Sequence, residues 1–62
     1  MEQPTNLISK SGDYRVVILH RYGYTIDDPV AATVFSKVRG MWQPEAASIN
    51  MTMKEVDKWL EK

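Results

Sequence analysis

The residues that could carry chemistry are few, and their spacing matches no catalytic site. His20 is the only histidine, and the chain has no cysteine, no HExxH motif and no GxSxG motif. A zinc or hydrolytic site needs several convergent ligands, or a nucleophile activated by a neighbouring base. We therefore expect a protein that is not an enzyme and that has no metal and no cofactor. His20 itself is interpreted as an ordinary strand residue or a pH-sensitive surface group.

A pair of adjacent carboxylates, Asp27 and Asp28, is the other candidate for acid–base chemistry. Pro29 follows the pair directly. An aspartate can cap the first free N–H groups of a helix, and proline suits the first helical position because it lacks that donor. This interpretation explains Asp28 without catalysis.

A run of mixed cations and aromatics, His20-Arg21-Tyr22-Gly23-Tyr24, points to binding instead. Such side chains stack on bases, anchor protein interfaces, or simply end a strand with amphipathic groups. Trp59 lies close to the end of the chain, where a small domain has little left to cover it. We predict that the partner-binding residues are His20, Arg21, Tyr22, Tyr24 and Trp59.

Composition limits the class of protein. The chain has 62 residues, with 8 Lys and Arg against 8 Asp and Glu. This balance gives no electrostatic footprint for a polyanion, so we expect no appreciable binding to duplex DNA. No apolar run approaches a membrane span, and the first residues lack the features of a signal peptide. The expectation is a soluble, cytoplasmic domain without disulfides.

The small size of the chain bears on its stability. A domain of this length buries only about 60% of its unfolded surface, and neither disulfides nor a metal are expected to reinforce it. We expect either a marginal monomer or a domain that gains burial by forming a homodimer or by docking on a larger protein.

The N-terminal half predicts one main strand. Residues 1–6 read as a flexible tail and residues 7–62 as a single domain. Residues 13–22 are rich in β-branched and aromatic side chains and end at Gly23, which favours a strand. Ser11-Gly12 could close a hairpin that pairs Leu7 and Ile8 with the start of this strand.

A first helix is predicted over residues 29–39. The apolar residues of this segment fall on one helical stripe that includes Val30, Val34 and Phe35. Gly40 would be the C′ residue that ends the helix.

A second helix is predicted over residues 44–61. Alternation at Ala47, Ile49, Met51 and Met53 resembles a strand, but a longer pattern argues for a helix. Its apolar residues are spaced 4, 3, 4, 3 and 4 apart, which is a helical stripe; they are Trp42, Ala46, Ile49, Met53, Val56 and Leu60. Trp42 would plug the space between the helices, and Val34 and Ile49 would be the centres of the two stripes.

The predicted fold class is therefore α+β, with one main strand followed by two helices, a β-α-α order. This order resembles the core of ClpS, the adaptor that hands N-degron substrates to the Clp protease, and the shape of the ribosomal stalk protein's C-terminal domain. The segments that carry the resemblance lie within residues 14–54; they are Tyr14–Leu19, Tyr24-Thr25, Val30…Val34…Val38, Gly40-Met41 and Glu45–Ile49.

The resemblance implies an adaptor-like shape but not the family's binding residues. His20-Arg21-Tyr22 stands where that family has an Asn-Asp-Asp run for the substrate's α-amino group. Lys54 stands where the family has a ligand-binding histidine. N-degron recognition is therefore not implied.

Three functions fit these features. The first is a non-enzymatic protein-interaction module, an adaptor or inhibitor that binds and modulates a larger assembly. The second is a ribbon-helix-helix DNA-binding regulator, whose order is also a strand and two helices, although Val17 and Leu19 occupy the centre of the strand face that would read bases. The third is a small structural subunit of a larger complex.

Overall fold

The fold is a four-stranded antiparallel sheet with one short helix packed on one face. The computed structural model describes residues 3–62. The strands pair in sequence order, β1-β2-β3-β4, as a meander. The elements are β1 (Thr5–Ile8), β2 (Tyr14–Arg21), β3 (Pro29–Val38), β4 (Met41–Thr52) and α1 (Met53–Leu60).

The predicted β-α-α fold class is wrong. The first predicted helix, residues 29–39, is strand β3, and the first half of the second predicted helix, residues 44–52, belongs to strand β4. Only the last part, from Met53 onward, is helical as predicted. The ribbon-helix-helix alternative loses its basis as well, because it needs two helices after the strand.

Strand β3 is the centre of the core. Val30, Ala32 and Val34 alternate along it and are buried on the face covered by α1. This alternation is the period of a strand. β3 pairs with β2 on one side and β4 on the other, so that the backbone groups of a β-branched segment are satisfied between two neighbours.

Gly40 lies in the turn that follows strand β3 and does not end a helix. Arg39 and Gly40 have φ angles of 54° and 78°, and they lie between Val38 and Met41, which pair directly. Positive φ at both central residues is the signature of a two-residue hairpin turn. The glycine predicted to stop helix 1 therefore turns the chain from β3 into β4.

Pro29 and Pro44, the first residues of the two predicted helices, lie in strands instead, at positions that a sheet tolerates. Pro29 is the first residue of β3, and Pro44 lies on the edge strand β4, next to a register shift. Proline cannot donate a ladder hydrogen bond, so strand ends, edges and bulges are where a sheet accepts it.

The helix covers only one face of the sheet. Thr52 caps it by accepting a hydrogen bond from the backbone N–H of Glu55, and Val56 is its fully buried residue. Ile49 is 69% exposed, so its predicted place at a stripe centre is wrong. Trp42 is half-buried and pairs with Lys37 in the sheet, so it is not an inter-helix plug.

The N-terminal hairpin is present as predicted. Leu7 pairs with Val16 and Ile8 with Arg15. Strand β1 begins at Thr5, inside the segment expected to be a tail, and Met1 and Glu2 lie outside the described residues. The turn is joined to the end of α1, because the backbone N–H of Lys10 donates to the carbonyl of Leu60.

Candidate functional site

A bulge in β2 decides where the predicted binding residues point. Ile18 pairs with Ala32, whereas His20 pairs with Ala31, so the register shifts around Leu19. Such a bulge re-aims the side chains beyond it. In a regular strand, which alternates side chains between its two faces, His20 would share the covered face with Ile18. The shift instead places His20 opposite Ala31 and Arg21 opposite the buried Val30.

The predicted binding residues at the end of β2 form a cluster. The rings of His20 and Tyr22 meet edge to face, with centroids 4.7 Å apart. The guanidinium carbon of Arg21 lies 5.8 Å from the centroid of the Tyr24 ring, within cation–π range. Arg21 is half-buried, and its Nε is buried without a hydrogen-bond partner among the described residues. Arg21 therefore supports the cluster, and its side chain is not the main exposed surface.

The loop that follows, residues 22–28, is braced by backbone hydrogen bonds at both ends and in its middle. The N–H of Tyr22 donates to the carbonyl of Pro29, and the N–H of Asp28 donates to the carbonyl of Thr25. The N–H of Lys54, in the first turn of α1, donates to the carbonyl of Ile26 at 3.3 Å. The loop is thus attached both to the sheet and to the helix.

Asp28 serves this loop and not a helix N-terminus. Its carboxylate accepts a hydrogen bond from the backbone N–H of Thr25 at 3.0 Å. Bonds from the backbone and side chain of Thr25 hold the pKa of the Asp28 carboxyl below its ordinary value, with the charge of Arg21 as a minor contributor. The carboxylate therefore remains charged, and in place to accept this bond, to a lower pH than an unperturbed aspartate.

Three large side chains of this braced loop face solvent. Tyr24 is 91% exposed, Tyr22 56% and Ile26 53%. We call residues 22–28 the tyrosine loop. Ile26 was missed from the sequence, although an isoleucine between Thr25 and Asp27, outside any apolar pattern, is a signal that could have identified it.

Trp59 does not join this cluster. Its ring packs on Tyr14 with centroids 5.4 Å apart, and the Nζ of Lys62 lies 5.3 Å from its centroid. Tyr14 is the first residue of β2, whereas the tyrosine loop follows the last. The two predicted contact regions are therefore at opposite ends of the sheet, and the half-buried Trp59 packs against the core.

Gly23 gives a test of the loop's construction. A Cβ at this position would overlap the carboxyl group of Asp28. We expect Gly23→Ala to displace that carboxylate, to break its bond to Thr25 and to lower the free energy of unfolding by about 1 kcal/mol in urea titrations. The amide shift of Thr25 should move with it.

The Asp28→Ala background is the control for this prediction. Asp28→Ala removes the two carboxyl-group atoms closest to the added Cβ and leaves only the Cβ of residue 28, at 2.8 Å, so the added cost of Gly23→Ala should be smaller in this background. An equal cost in both backgrounds would show that the overlap with Asp28 is not what Gly23 avoids.

The described residues show neither a metal-binding group nor a bilayer-spanning helix. No set of three or more histidine, cysteine or acidic side chains within residues 3–62 is placed to hold a metal ion. Within the same residues, no helix has the length and apolar character needed to cross a membrane. The chemistry that this region offers is that of contact, from the aromatic rings and the isoleucine of the tyrosine loop beside the half-buried cation Arg21 at the end of β2.

Comparison with known proteins adds no relative. The segments that resemble ClpS at Val30–Val38 and Glu45–Ile49 correspond to helices in that family, and here they form β3 and β4. No family model, curated protein or solved structure matches the chain.

Proposed function

We propose that this chain is a non-enzymatic protein-interaction module, a small adaptor or inhibitor that binds a larger protein through the tyrosine loop. The observation that carries the proposal is the exposure of Tyr22, Tyr24 and Ile26 on a loop braced to both sheet and helix. Large aromatic side chains at fixed positions bind with little loss of conformational entropy, and tyrosine is enriched among energetically dominant interface residues.

The braced geometry supports binding more than a stability role. Tyr24 at 91% exposure stabilises little by burial, since burial is what makes an aromatic side chain stabilising. Its contact with the guanidinium of Arg21, 5.8 Å from the ring centroid, leaves the ring uncovered. An exposed aromatic side chain on a loop that is already ordered can bind a partner without the entropic cost of ordering that loop.

We propose that the protein acts in the cytoplasm. The chain contains no cysteine, so it does not use the disulfides on which small secreted domains commonly depend.

The test compares the partners captured by three forms of the chain. We expect the double variant Tyr22→Ala/Tyr24→Ala to bind a captured partner more weakly than wild type. Each substitution should reduce the binding free energy by more than about 1 kcal/mol, because both remove aromatic contact area. Capture from lysate with quantitative mass spectrometry identifies the partner, and titration of the purified pair then gives the affinity. Arg21 is not the first choice for substitution, since its half-buried side chain supports the loop.

Met41→Ser is the matched control. Met41 is also an exposed large apolar residue, but it lies at the turn between β3 and β4, at the other end of the sheet. Its substitution should leave binding unchanged. A partner that binds the tyrosine double variant as tightly as wild type, or that is lost with Met41→Ser instead, would rule out the loop as the functional surface.

A further inference from the structure

The hairpin formed by β3 and β4 extends beyond the start of β2. The last pair between β2 and β3 joins Tyr14 to Ser36, whereas Val38 and Met41 still pair with each other further along. Val38 lies two residues past Ser36, a rise of about 7 Å in an extended strand. We call residues 37–42 the hairpin tip. It is at the opposite end of the sheet from the tyrosine loop, so the inference below does not rest on the proposed function.

The turn in the hairpin tip holds an arginine in an unfavourable backbone conformation. Arg39 has a φ of 54°, where residues other than glycine, asparagine and aspartate are rarely found. Asparagine before glycine is what such a two-residue turn favours. The Arg39 side chain is exposed and makes no hydrogen bond or ion pair within residues 3–62. A strained residue whose side chain contributes nothing to the fold points to a role in binding.

The hairpin tip is cationic and apolar at once. Met41 is 69% exposed and Val38 40%. Lys37 and Arg39 flank Val38, and the hairpin tip contains no acidic residue. The Nζ of Lys37 lies 5.7 Å from the centroid of the half-buried Trp42 ring. Exposed apolar side chains therefore project beside two cations.

The charges behind the hairpin tip leave its two cations unbalanced. Two acidic residues lie at its base: the carbonyl of Asp13 accepts the N–H of Lys37, and the carboxylate of Glu45 accepts a hydrogen bond from the hydroxyl of Ser36. The other charged residues at this end of the sheet are Lys10, Arg15, Asp57, Lys58, Glu61 and Lys62. Their excess of two positive charges offsets Asp13 and Glu45, so the positive charge of the hairpin tip remains.

The composition of the hairpin tip favours a lipid surface among anionic partners. Lysine, arginine and methionine have the most side-chain entropy to lose in a rigid protein interface, and lysine is depleted there. In a fluid bilayer interface these side chains stay mobile, and the cations reach the phosphates while their stems cover apolar groups. A nucleic acid would meet only two phosphate contacts in the hairpin tip, which is too few for appreciable binding.

We infer that the hairpin tip binds the surface of an anionic lipid bilayer. Val38 and Met41 enter the headgroup region, and Lys37 and Arg39 contact the lipid phosphates. The projection of the tip matches the depth of about 5–10 Å to which interfacial segments insert. With two cations and two aliphatic side chains, the association is weak and reversible, at or below the roughly 10⁴ M⁻¹ of a single acyl chain.

Co-sedimentation with vesicles measures this association. Vesicles of phosphatidylcholine containing phosphatidylglycerol are compared with vesicles of phosphatidylcholine alone, at about 0.1 M salt, where charges still act over about 10 Å. We expect an association constant on the order of 10³–10⁴ M⁻¹ with the anionic vesicles. It should be at least about tenfold lower with the neutral vesicles, because two cations lose their attraction to the surface.

Arg39→Asn separates binding from folding. Asparagine suits the positive φ of this turn, so the urea midpoint should stay the same or rise. Association with anionic vesicles should fall about fivefold, the effect of one cation near such a surface. Unchanged association, or a lower urea midpoint, would show that Arg39 serves the turn and would contradict the inference.

Met41→Asp should weaken association with anionic vesicles at least about tenfold, because a carboxylate would have to leave water for an anionic interface. Ile26→Asp is the control, since it changes the net charge equally at an exposed aliphatic position on the tyrosine loop; it should bind like wild type. Equal losses for the two variants would mean that net charge alone governs binding, and the hairpin tip would be excluded.

A polarity-sensitive dye locates the contact, and the absence of native cysteine makes each label site unique. On Met41→Cys its emission should rise with anionic vesicles, and on Ile26→Cys it should not. No sedimentation of wild type with anionic vesicles would overturn the inference. So would tighter binding to single-stranded oligothymidine that Arg39→Asn weakens, because the anion recognised would then be a nucleic acid.

Discussion

Val34→Ala is expected to lower the free energy of unfolding by about 2–4 kcal/mol, because it leaves a cavity at the centre of the core. Val34 is 0% exposed, and it lies between Val16 on β2 and Ala46 on β4. At about 0.05–0.15 kcal/mol per residue, a chain of 62 residues has only about 3–9 kcal/mol of stability in total. A urea titration followed by tryptophan fluorescence gives the midpoint.

Ile49→Ala is the comparison that separates the sheet from the two-helix arrangement. Both side chains would be central in two packed helices, whereas in the sheet Ile49 is 69% exposed and its truncation should cost less than about 0.5 kcal/mol. Equal losses for the two variants would contradict the exposed placement of Ile49 on β4.

The elements that were predicted correctly from the sequence are those whose apolar pattern fits the period of a strand or that of a helix, but not both. Residues 14–21 have four adjacent aliphatic residues in a β-branched and aromatic setting, and they form β2. From Met53 onward, Val56, Trp59 and Leu60 fit a helix and are packed on the core as one. In both cases local propensity and tertiary packing favour the same structure.

Strand β3 was misread because its apolar residues satisfy two periods at once. Val30, Val34 and Phe35 make a helical stripe, but Val30, Ala32 and Val34 also make one strand face, while Thr33 and Phe35 belong to the other. The deciding interactions are the ladders to β2 and β4, which are distant in sequence. Gly40 was equally ambiguous, since a positive φ serves a helix end and a hairpin turn alike.

Strand β4 was misread for a different reason. Two register shifts interrupt its pairing with β3, one between Val30 and Ala32 and one between Val34 and Phe35. Each shift adds a residue to β4 and breaks strict alternation, so that the spacing of Trp42, Ala46 and Ile49 imitates a helix. The alternation at Ala47, Ile49 and Met51 did indicate a strand, but the shift between Val30 and Ala32 falls within it, so that Ile49 is exposed whereas Met51 is buried in the core.

The candidate site was predictable in composition but not in geometry. The run from His20 to Tyr24 does end a strand, and its rings do cluster. What the sequence could not show is the bulge at Leu19, which turns Arg21 inward, or the bond between Asp28 and Thr25 that holds the loop. Both depend on the partner strand and on the backbone path.

Val56→Asp is expected to unfold the domain at 25 °C. Val56 is the helix residue with no solvent exposure, and it contacts the core formed by Val16, Val34 and Met51. A carboxylate at this position has no described partner and would cost several kcal/mol to bury. Because α1 alone covers this face, its release would leave the sheet uncovered on both sides. Circular dichroism and the loss of amide dispersion in NMR spectra measure the outcome.

Lys54→Asp is the matched control for this prediction. It introduces the same carboxylate two residues earlier in the same helix, at an exposed position in the first turn, where a negative charge suits the helix dipole. This variant should remain folded with wild-type spectra. If Val56→Asp gives the same dispersed spectrum as Lys54→Asp, α1 is not what closes the core, and the stability of the sheet must come from the contacts among β2, β3 and β4 alone.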